Sequence, residues 1–375
     1  MAIAYPLAGQ PSFMAAHNFE VIMISAAGVE LPHLLKNETC PHIIVPMTRS
    51  ITPFRDLVCI YQLIRIFRRE RPDIVHTETP KAGLLGMISA KIAGVGIRIH
   101  TVAGLPLMTE KGMKLYLLEF IEKITYAAAT NVWPNSNSLR QFILKRGYTK
   151  ESKLTMIGLG SSNGINTKRF DRTNLNQRIL NEVKASVQYS ENNTYILFIG
   201  RLVRDKGIAE LAEAFTELQT EFPRLKLILA GTFERELDPL PSETVTIIHQ
   251  NGSIFQLSWT NHVEYYMALA DYFVFPSYRE GFPNVLLEAA SMQLPIICSR
   301  IAGNVDIVQD GKTGLIFESQ NKESLKLAMR KGLNDPAWMK LQAERLHAII
   351  TTSFKRENFW ETMLEEYNKL IASKK

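Results

Sequence analysis

Residues 276–289 read Pro-Ser-Tyr-Arg-Glu-Gly-Phe-Pro-Asn-Val-Leu-Leu-Glu-Ala and directly follow the apolar run Tyr272-Phe273-Val274-Phe275. Four bulky apolar residues in succession predict a buried strand. Pro283 fits the first turn of a helix, where a missing N–H costs nothing. Strand, short loop and helix in that order form the repeating unit of an α/β fold. The helix is almost wholly apolar around one carboxylate: Glu288 lies among Val285, Leu286, Leu287, Ala289, Ala290 and Met292. Burying a carboxylate there is costly unless something donates hydrogen bonds to it. A ribose diol would do so, and so would a buried Arg. The free N–H groups at the helix start, after Gly281, suit a phosphate or a sugar oxygen.

The same alternation runs outward along the 375-residue chain. In the first half, strands are expected at Val21–Ser25, Ile43–Pro46, Ile74–His76, Ile97–Thr101, Asn131–Pro134 and Leu154–Ile157. Helices are expected between them at Phe54–Arg69, Lys81–Ala93, Lys114–Ala128 and Ser138–Arg146. In the second half, strands are expected at Tyr195–Ile199, Leu225–Ala230, Val245–Ile248, Tyr272–Phe275, Ile296–Cys298 and Leu315–Phe317. Its helices are expected at Ile208–Glu221, Val263–Ala270, Val285–Met292, Lys322–Leu333, Ala337–Ala348 and Arg356–Ala372. Alternating strands and helices mean parallel sheets. The polar stretch from the turn cluster Ser161–Asn166 to Gln177 separates the halves. The expectation is two doubly wound domains, residues 1–170 and 171–355, with the active site in a cleft between them.

A second loop carries charge where an anion would arrive. Gly200-Arg201-Leu202-Val203-Arg204-Asp205-Lys206-Gly207 follows the strand ending at Ile199. Gly200 permits a sharp turn, Arg201 offers a planar fork for phosphate oxygens, and Lys206 offers a point charge. No Asp-x-Asp motif sits at a strand end, so no essential metal is expected; Asp238, alone in a Pro-flanked loop, reads as structural.

Composition narrows the class. Hydrophobic content of 46% and charged content of 21% are those of an ordinary globular protein. A net charge of +6 favours an anionic partner such as a nucleotide diphosphate or a phospholipid surface, and no nucleic-acid motif is present. Three scattered cysteines, Cys40, Cys59 and Cys298, match neither a disulfide framework nor a zinc site and fit a reducing cytoplasm. No apolar run is long enough to span a bilayer, and no signal peptide is indicated. The helix Phe54–Arg69 runs into Arg65, Arg68, Arg69 and Arg71; with Lys111, Lys114 and Lys123 these could dock on anionic headgroups. Its apolar residues Leu57, Ile60, Leu63, Ile64 and Phe67 read mostly as core.

Glu280 and Glu288, in their Pro-Ser-x-x-Glu-Gly-Phe-Pro-x-x-Leu-Leu-Glu-Ala setting, resemble the Glu-x7-Glu signature of the retaining glycosyltransferases of family 4. Gly-Arg-x-x-x-x-Lys-Gly at 200–207 resembles that family's diphosphate grip. The resemblance covers nearly the whole chain. It implies the GT-B architecture, with residues 356–375 crossing back to an N-terminal acceptor-binding domain. It further implies a nucleotide-sugar donor, in this reading a UDP-sugar, and no cofactor. Gly200, Arg201, Lys206, Glu280, Gly281, Phe282, Pro283, Asn284, Val285 and Glu288 would hold the donor. Among them Glu280, Arg201 and Lys206 would act in catalysis, with Glu280 beside the sugar and Glu288 on the ribose.

Val75–Gly83, Ile99–Pro106 and the helix start at Gly9-Gln10 resemble members that build capsules and O-antigens on a polyprenyl diphosphate carrier. The acceptor-side candidates are Gly9, Glu78, Lys81, His100 and Ala103, with His76 nearby. Glu78 and Ala103 stand where many relatives have His, Gln293 where they have Gly, and Asp306 where Glu is common. Only Met1–Ala8 precede Gly9, room for a loop and at most a stub of the expected first strand. The implied enzyme is a retaining hexosyl- or N-acetylhexosaminyltransferase at the inner face of the cytoplasmic membrane, working on a lipid-linked saccharide. A nucleotide-sugar 2-epimerase and a non-catalytic sugar-nucleotide-binding protein are the alternatives on the same fold.

Overall fold

A computed structural model describes residues 7–28, 31–48, 50, 52–108, 110–234 and 238–374. The chain forms two compact units: the residues up to Gly164 together with those from Arg356 onward, and Ile165–Lys355.

The first unit contains α1 (Gln10–Ala16), β1 (Met23–Ser25), α2 (Leu31–Asn37), β2 (His42–Ile44), α3 (Pro53–Glu70), β3 (Ile74–Thr77), α4 (Pro80–Ile92), β4 (Ile97–Val102), α5 (Gly112–Ala128), β5 (Asn131–Pro134) and α6 (Asn137–Lys145). All strand pairs are parallel, so each connection needs a crossover helix. Among the described residues the strands form two separate sheets, β1-β2 and β3-β4-β5. The strand stub expected before Gly9 falls largely on residues 1–6, outside the described residues. Leu154–Ile157, expected as a strand, makes one isolated bridge, Leu154 to Val132.

Helix α4 has small residues on the side facing the sheet. A Cβ added at Gly83 would lie 2.3 Å from the His100 ring, and one at Gly86 would lie 2.7 Å from the Thr77 methyl. Helix α3 buries Cys59, Leu63 and Phe67 at four-residue spacing. Leu57, expected in the core, is exposed instead. It lies on the opposite stripe of the helix, where nothing in the unit covers it.

The second unit contains α7 (Gln177–Ser186), β6 (Thr194–Ile199), α8 (Ile208–Leu218), β7 (Leu225–Ala230), α9 (Ser242–Gln250), β8 (Ile254–Leu257), α10 (Val263–Leu269), β9 (Tyr272–Phe275), α11 (Asn284–Ser291), β10 (Ile296–Ser299), α12 (Asn304–Ile307), β11 (Leu315–Phe317), α13 (Lys322–Asn334) and α14 (Pro336–Ser353). Its six parallel strands run β11-β10-β9-β6-β7-β8. Strand order therefore reverses between β6 and β9, as in a doubly wound sheet. Both central strands are almost wholly buried, and the rings of Phe198, Phe273 and Phe275 stack along them at 6.0–6.2 Å.

Val245–Ile248, expected as a strand, lies in helix α9. Its β-branched residues favour strands only weakly, and Pro241 before the helix with Asn251-Gly252 after it are start and stop signals. Thr244 and Ile248, one turn apart, are its buried residues. The strand is the following segment, β8, which lies outside every element expected from the sequence.

The last helix, α15 (Arg356–Lys374), belongs to the first unit. Its Phe359, Met363 and Tyr367 are buried with Met14, Ile97, Ile99, Trp133 and Ile157, and Tyr367 stacks on Trp133 at 5.6 Å. All three cysteines are free and buried, Cys40 and Cys59 in the first unit and Cys298 on β10.

Gln293, after the end of α11, adopts φ +53° and is solvent-exposed. A side chain in this left-handed region costs about 1 kcal/mol. Gln293→Gly should therefore stabilise the second unit by roughly 0.5–1 kcal/mol, read as a higher denaturant midpoint at unchanged slope.

Candidate active site

In the second unit the loops after β6 and β9 meet where the strand order reverses, the usual ligand position in such sheets. Gly207 makes the meeting close. It has φ +67°, and a Cβ there would lie 2.3 Å from the Pro276 carbonyl oxygen. This approach sets Lys206 beside Glu280: Nζ lies 2.5 Å from Oε1. The Ser277 hydroxyl donates to the same Glu280 oxygen at 2.9 Å, and Lys206 Nζ lies 3.4 Å from the Ser277 hydroxyl. Ser277 is held in turn from β10 and α12. The Ser299 hydroxyl donates to its carbonyl at 2.5 Å, and Asn304 Nδ2 donates to the Ser299 carbonyl at 2.9 Å.

A second set of contacts ties the two loops together. Arg279 pairs with Asp205 at 2.8 Å, and the Tyr278 N–H donates to the Asp205 carbonyl at 2.8 Å. Asp238 accepts the Asp205 N–H at 2.7 Å and so braces the loop after β6. Arg201, just beyond Gly200, is half-exposed and ion-paired with Glu234 from the loop after β7. A Cβ at Gly231 would lie 1.8 Å from the Gly200 carbonyl oxygen, so these two loops also need a glycine at their contact.

Past Glu280 the chain goes into the core. Gly281 and Phe282 are buried, and the Phe282 ring packs on Phe354 at 5.6 Å. Pro283 is the N-cap of α11 and supplies no side-chain cap, and the Leu286 N–H donates to its carbonyl at 3.0 Å. Glu288 lies one turn further on, half-buried between Leu287 and Ala289.

The remaining candidates lie in the first unit. Gly9 is the N-cap of α1, and its N–H donates to the buried Glu38 carboxylate at 2.5 Å; the Ser12 N–H and hydroxyl donate to the same group. Lys81, in the first turn of α4, pairs with Asp56 of α3 at 2.6 Å. Ala103 is exposed just past β4.

The strand pleat separates the two histidines. His100 lies under α4 with its Nδ1 2.9 Å from the Thr77 hydroxyl, and burial pushes its pKa down to about 4. His76 is on the opposite face. Its ring nitrogens lie 2.5 Å from the Tyr367 hydroxyl and 2.7 Å from the Thr101 hydroxyl, and burial lowers its pKa to about 3. Glu78, on the same face, lies 3.2 Å from His76 Nε2, and burial raises its carboxyl pKa to about 8. Burial therefore disfavours the charged form of both partners.

Sequence reasoning brought out Arg201, Lys206, Glu280 and Glu288 but passed over Ser277, Asp205, Glu234 and Arg279. Ser277 and Arg279 stand inside the quoted motif, and Glu234 lies just past a strand end, so a search for every polar residue at strand C-termini would have found them.

Comparisons with known proteins agree on one class. The family description "Glycosyl transferases group 1" matches residues 181–355, and "Glycosyl transferase 4-like" matches residues 10–136. The capsular polysaccharide biosynthesis glycosyltransferase CapM of Staphylococcus aureus is 33% identical over 97% of this chain and 93% of its own. The UDP-Gal:alpha-D-GlcNAc-diphosphoundecaprenol alpha-1,3-galactosyltransferase of Escherichia coli is 26% identical over 84% of this chain and 81% of its own. Among solved structures, Anabaena HepE in complex with UDP superposes with a TM-score of 0.76 at 16% identity, covering 96% of each chain. The chain belongs to the group 1 glycosyltransferases, and its fold is that of the GT-B enzymes, two Rossmann-like units of parallel α/β structure.

The Glu78 geometry has a measurable pH signature. The folded chain keeps a proton on Glu78 that the unfolded chain releases above the ordinary carboxylate range, so this group makes stability fall as pH rises toward about 8. Glu78→Gln removes that titration. Its thermal midpoint relative to wild type should rise as pH goes from about 5 to about 8; a difference that stays constant over that range would mean that Glu78 is already ionised at pH 5.

Proposed function

We propose that this enzyme transfers a hexosyl or N-acetylhexosaminyl residue, with retention of configuration, from a UDP-sugar to a polyprenyl-diphosphate-linked saccharide. The reaction would take place at the inner face of the cytoplasmic membrane during assembly of a bacterial surface polysaccharide. The observation that carries the reading is the Lys206–Glu280 pair beside Arg201, at the reversal of strand order in the second unit. Support for the donor and acceptor comes from the names of relatives. One galactosyltransferase uses UDP-Gal and a diphosphoundecaprenol-linked sugar, and a Campylobacter jejuni relative is a diphospho-undecaprenol N-acetylgalactosaminyltransferase.

In this reading the departing UDP builds negative charge on its β-phosphate. Lys206 and the first amides of α11 receive that charge from fixed positions, which lowers the barrier. Arg201 exchanges Glu234 for phosphate when the donor enters. Glu280, held by Lys206 and Ser277, faces the positive charge that develops on the sugar. Glu288 accepts the ribose hydroxyls. These cations and amides already supply the diphosphate's counter-charge, so the reaction needs no metal.

The test is product analysis with a panel of UDP-sugars and an undecaprenyl-diphosphate-linked acceptor. The expected product carries the donor's anomeric configuration. Consumption of UDP-sugar without acceptor would overturn the reading in favour of epimerisation.

Three expected outcomes follow from the residue roles. Arg201→Ala should lower kcat/KM by about 10²–10³ with the fold intact. By calorimetry, Glu288→Ala should weaken UDP binding roughly ten- to hundredfold, whereas Glu280→Ala should mainly lower turnover. Activity should survive excess EDTA; its loss and rescue by magnesium or manganese would place a metal in the mechanism.

A further inference from the structure

Three polar side chains support the loop that carries Glu280, and all are sealed from solvent: Ser277, Ser299 and Asn304, each at 0% exposure. Ser277 follows β9, Ser299 is the last residue of β10, and Asn304 is the first of α12. The parallel register pairs Cys298 with Phe275, so the two strands end at the same level of the sheet. Apolar groups fill core positions of this kind at lower cost, because each buried polar atom needs a partner. Asn304 shows the cost openly: its Oδ1 has no hydrogen-bond partner among the described residues.

From Asn304 the contacts run toward Glu280. Its Nδ2 donates to the Ser299 carbonyl at 2.9 Å and to the Ser299 hydroxyl oxygen at 3.2 Å. The Ile301 N–H donates to the same carbonyl at 3.0 Å, so the turn between β10 and α12 closes on Ser299. A serine hydroxyl has one proton to give. With its oxygen engaged by Asn304, Ser299 directs that proton at the Ser277 carbonyl, 2.5 Å away. Ser277 has the same single proton. Glu280 Oε1 is its nearest acceptor at 2.9 Å, while the Asp205 and Arg279 carbonyls lie at 3.4 Å.

The turn also meets the chain on the far side of Glu280. Gly303 has φ +84°, and a Cβ there would lie 2.4 Å from the Gly281 carbonyl oxygen and 3.2 Å from Pro283 Cδ. Both ends of the segment from Ser277 to Gly281 therefore rest on the turn from Ser299 to Asn304. One end is held by a hydrogen bond, the other by backbone contact.

We propose that Ser299 and Asn304 are positioning residues for Glu280, acting through Ser277. Both are sealed from solvent and so from any substrate. They fix the Ser277 backbone, and with it the direction from which the Ser277 hydroxyl meets the Glu280 carboxylate. This rests on the reading of Glu280 as the group that faces the charge developing on the sugar. A displacement of about 1 Å at such a group can cost about a hundredfold in rate. Nucleotide binding falls in that reading to Arg201 and Glu288, so breaking the chain acts on turnover and not on UDP affinity.

The experiment compares Ser299→Ala and Asn304→Ala with wild type, in the full chain and well below each variant's thermal midpoint. Turnover is measured with the UDP-sugar that the product panel finds most active, and UDP affinity by calorimetry. Each substitution should lower kcat about ten- to hundredfold while UDP affinity stays within roughly twofold of wild type. The two combined should lose little more than either alone, since they break one chain. In a Glu280→Gln background the same substitutions should change the residual turnover by less than about threefold. Wild-type kcat in both variants would overturn the chain. So would a loss of UDP affinity in step with kcat, or a full additional loss in the Glu280→Gln background, since either marks a general loosening of the second unit. With Glu280→Gln itself impaired, those three outcomes leave the transferase reading intact. Glu280→Gln turning over like wild type would instead sink the role of Glu280 in that reading, and the chain with it.

Discussion

Parallel strands cannot be joined by hairpins, and that constraint organises everything in the second unit. Each strand must be followed by a crossover, so every strand-to-helix loop leaves from the same edge of the sheet. Winding outward in both directions from β6 puts the reversal between β6 and β9, the two central strands. At that point no helix bridges the gap at the edge, and the loops after β6 and β9 lie against one another. The charged residues they carry meet because the sheet has nowhere else to send them. Gly207 sets how near they come, since any side chain there would strike the backbone at Pro276.

The resulting site holds opposite charges in close pairs: Lys206 with Glu280, Arg279 with Asp205, Arg201 with Glu234. A lone ammonium or carboxylate in a partly buried loop would carry a desolvation cost that its partner here offsets. The three pairs are not equivalent. Lys206 and Glu280 are largely buried and braced by Ser277, and Arg279–Asp205 fixes the loops to each other. Arg201–Glu234 lies nearer water, where a pair is worth little and is readily exchanged. A braced inner pair and a more exposed outer one are what the proposed entry of a donor diphosphate would call for.

Much of this was written plainly in the chain. The continuous apolar runs at Tyr195–Ile199 and Tyr272–Phe275 have no other use than a strand buried on both faces, and the two loops that follow them hold the charged motifs. Where the reading slipped, tertiary context had overridden local preference. Val245–Ile248 is rich in β-branched residues, yet a helix must stand between β7 and β8 to make them parallel, and the Pro and Gly on either side were the better guide. Leu57 was placed inside because apolar residues usually are; which stripe of a helix faces outward depends on neighbours far away in sequence. Ser277 and Glu234 gained their positions only from loops folding together, a fact no spacing rule contains. The surroundings of the Glu78–His76 contact likewise depend on α15, which arrives nearly three hundred residues later.

The three thiols give the molecule a built-in reporter. Cys298 is sealed within the second unit on β10, while Cys59 and Cys40 are sealed in the first, one on the buried face of α3 and the other beside Met23 and Leu34. Burial also pushes all three toward the unreactive protonated form. A thiol-specific reagent therefore marks each cysteine only when its surroundings open. Peptide mapping of the label would resolve the opening of the two units, and of two separate regions of the first, without any engineered probe.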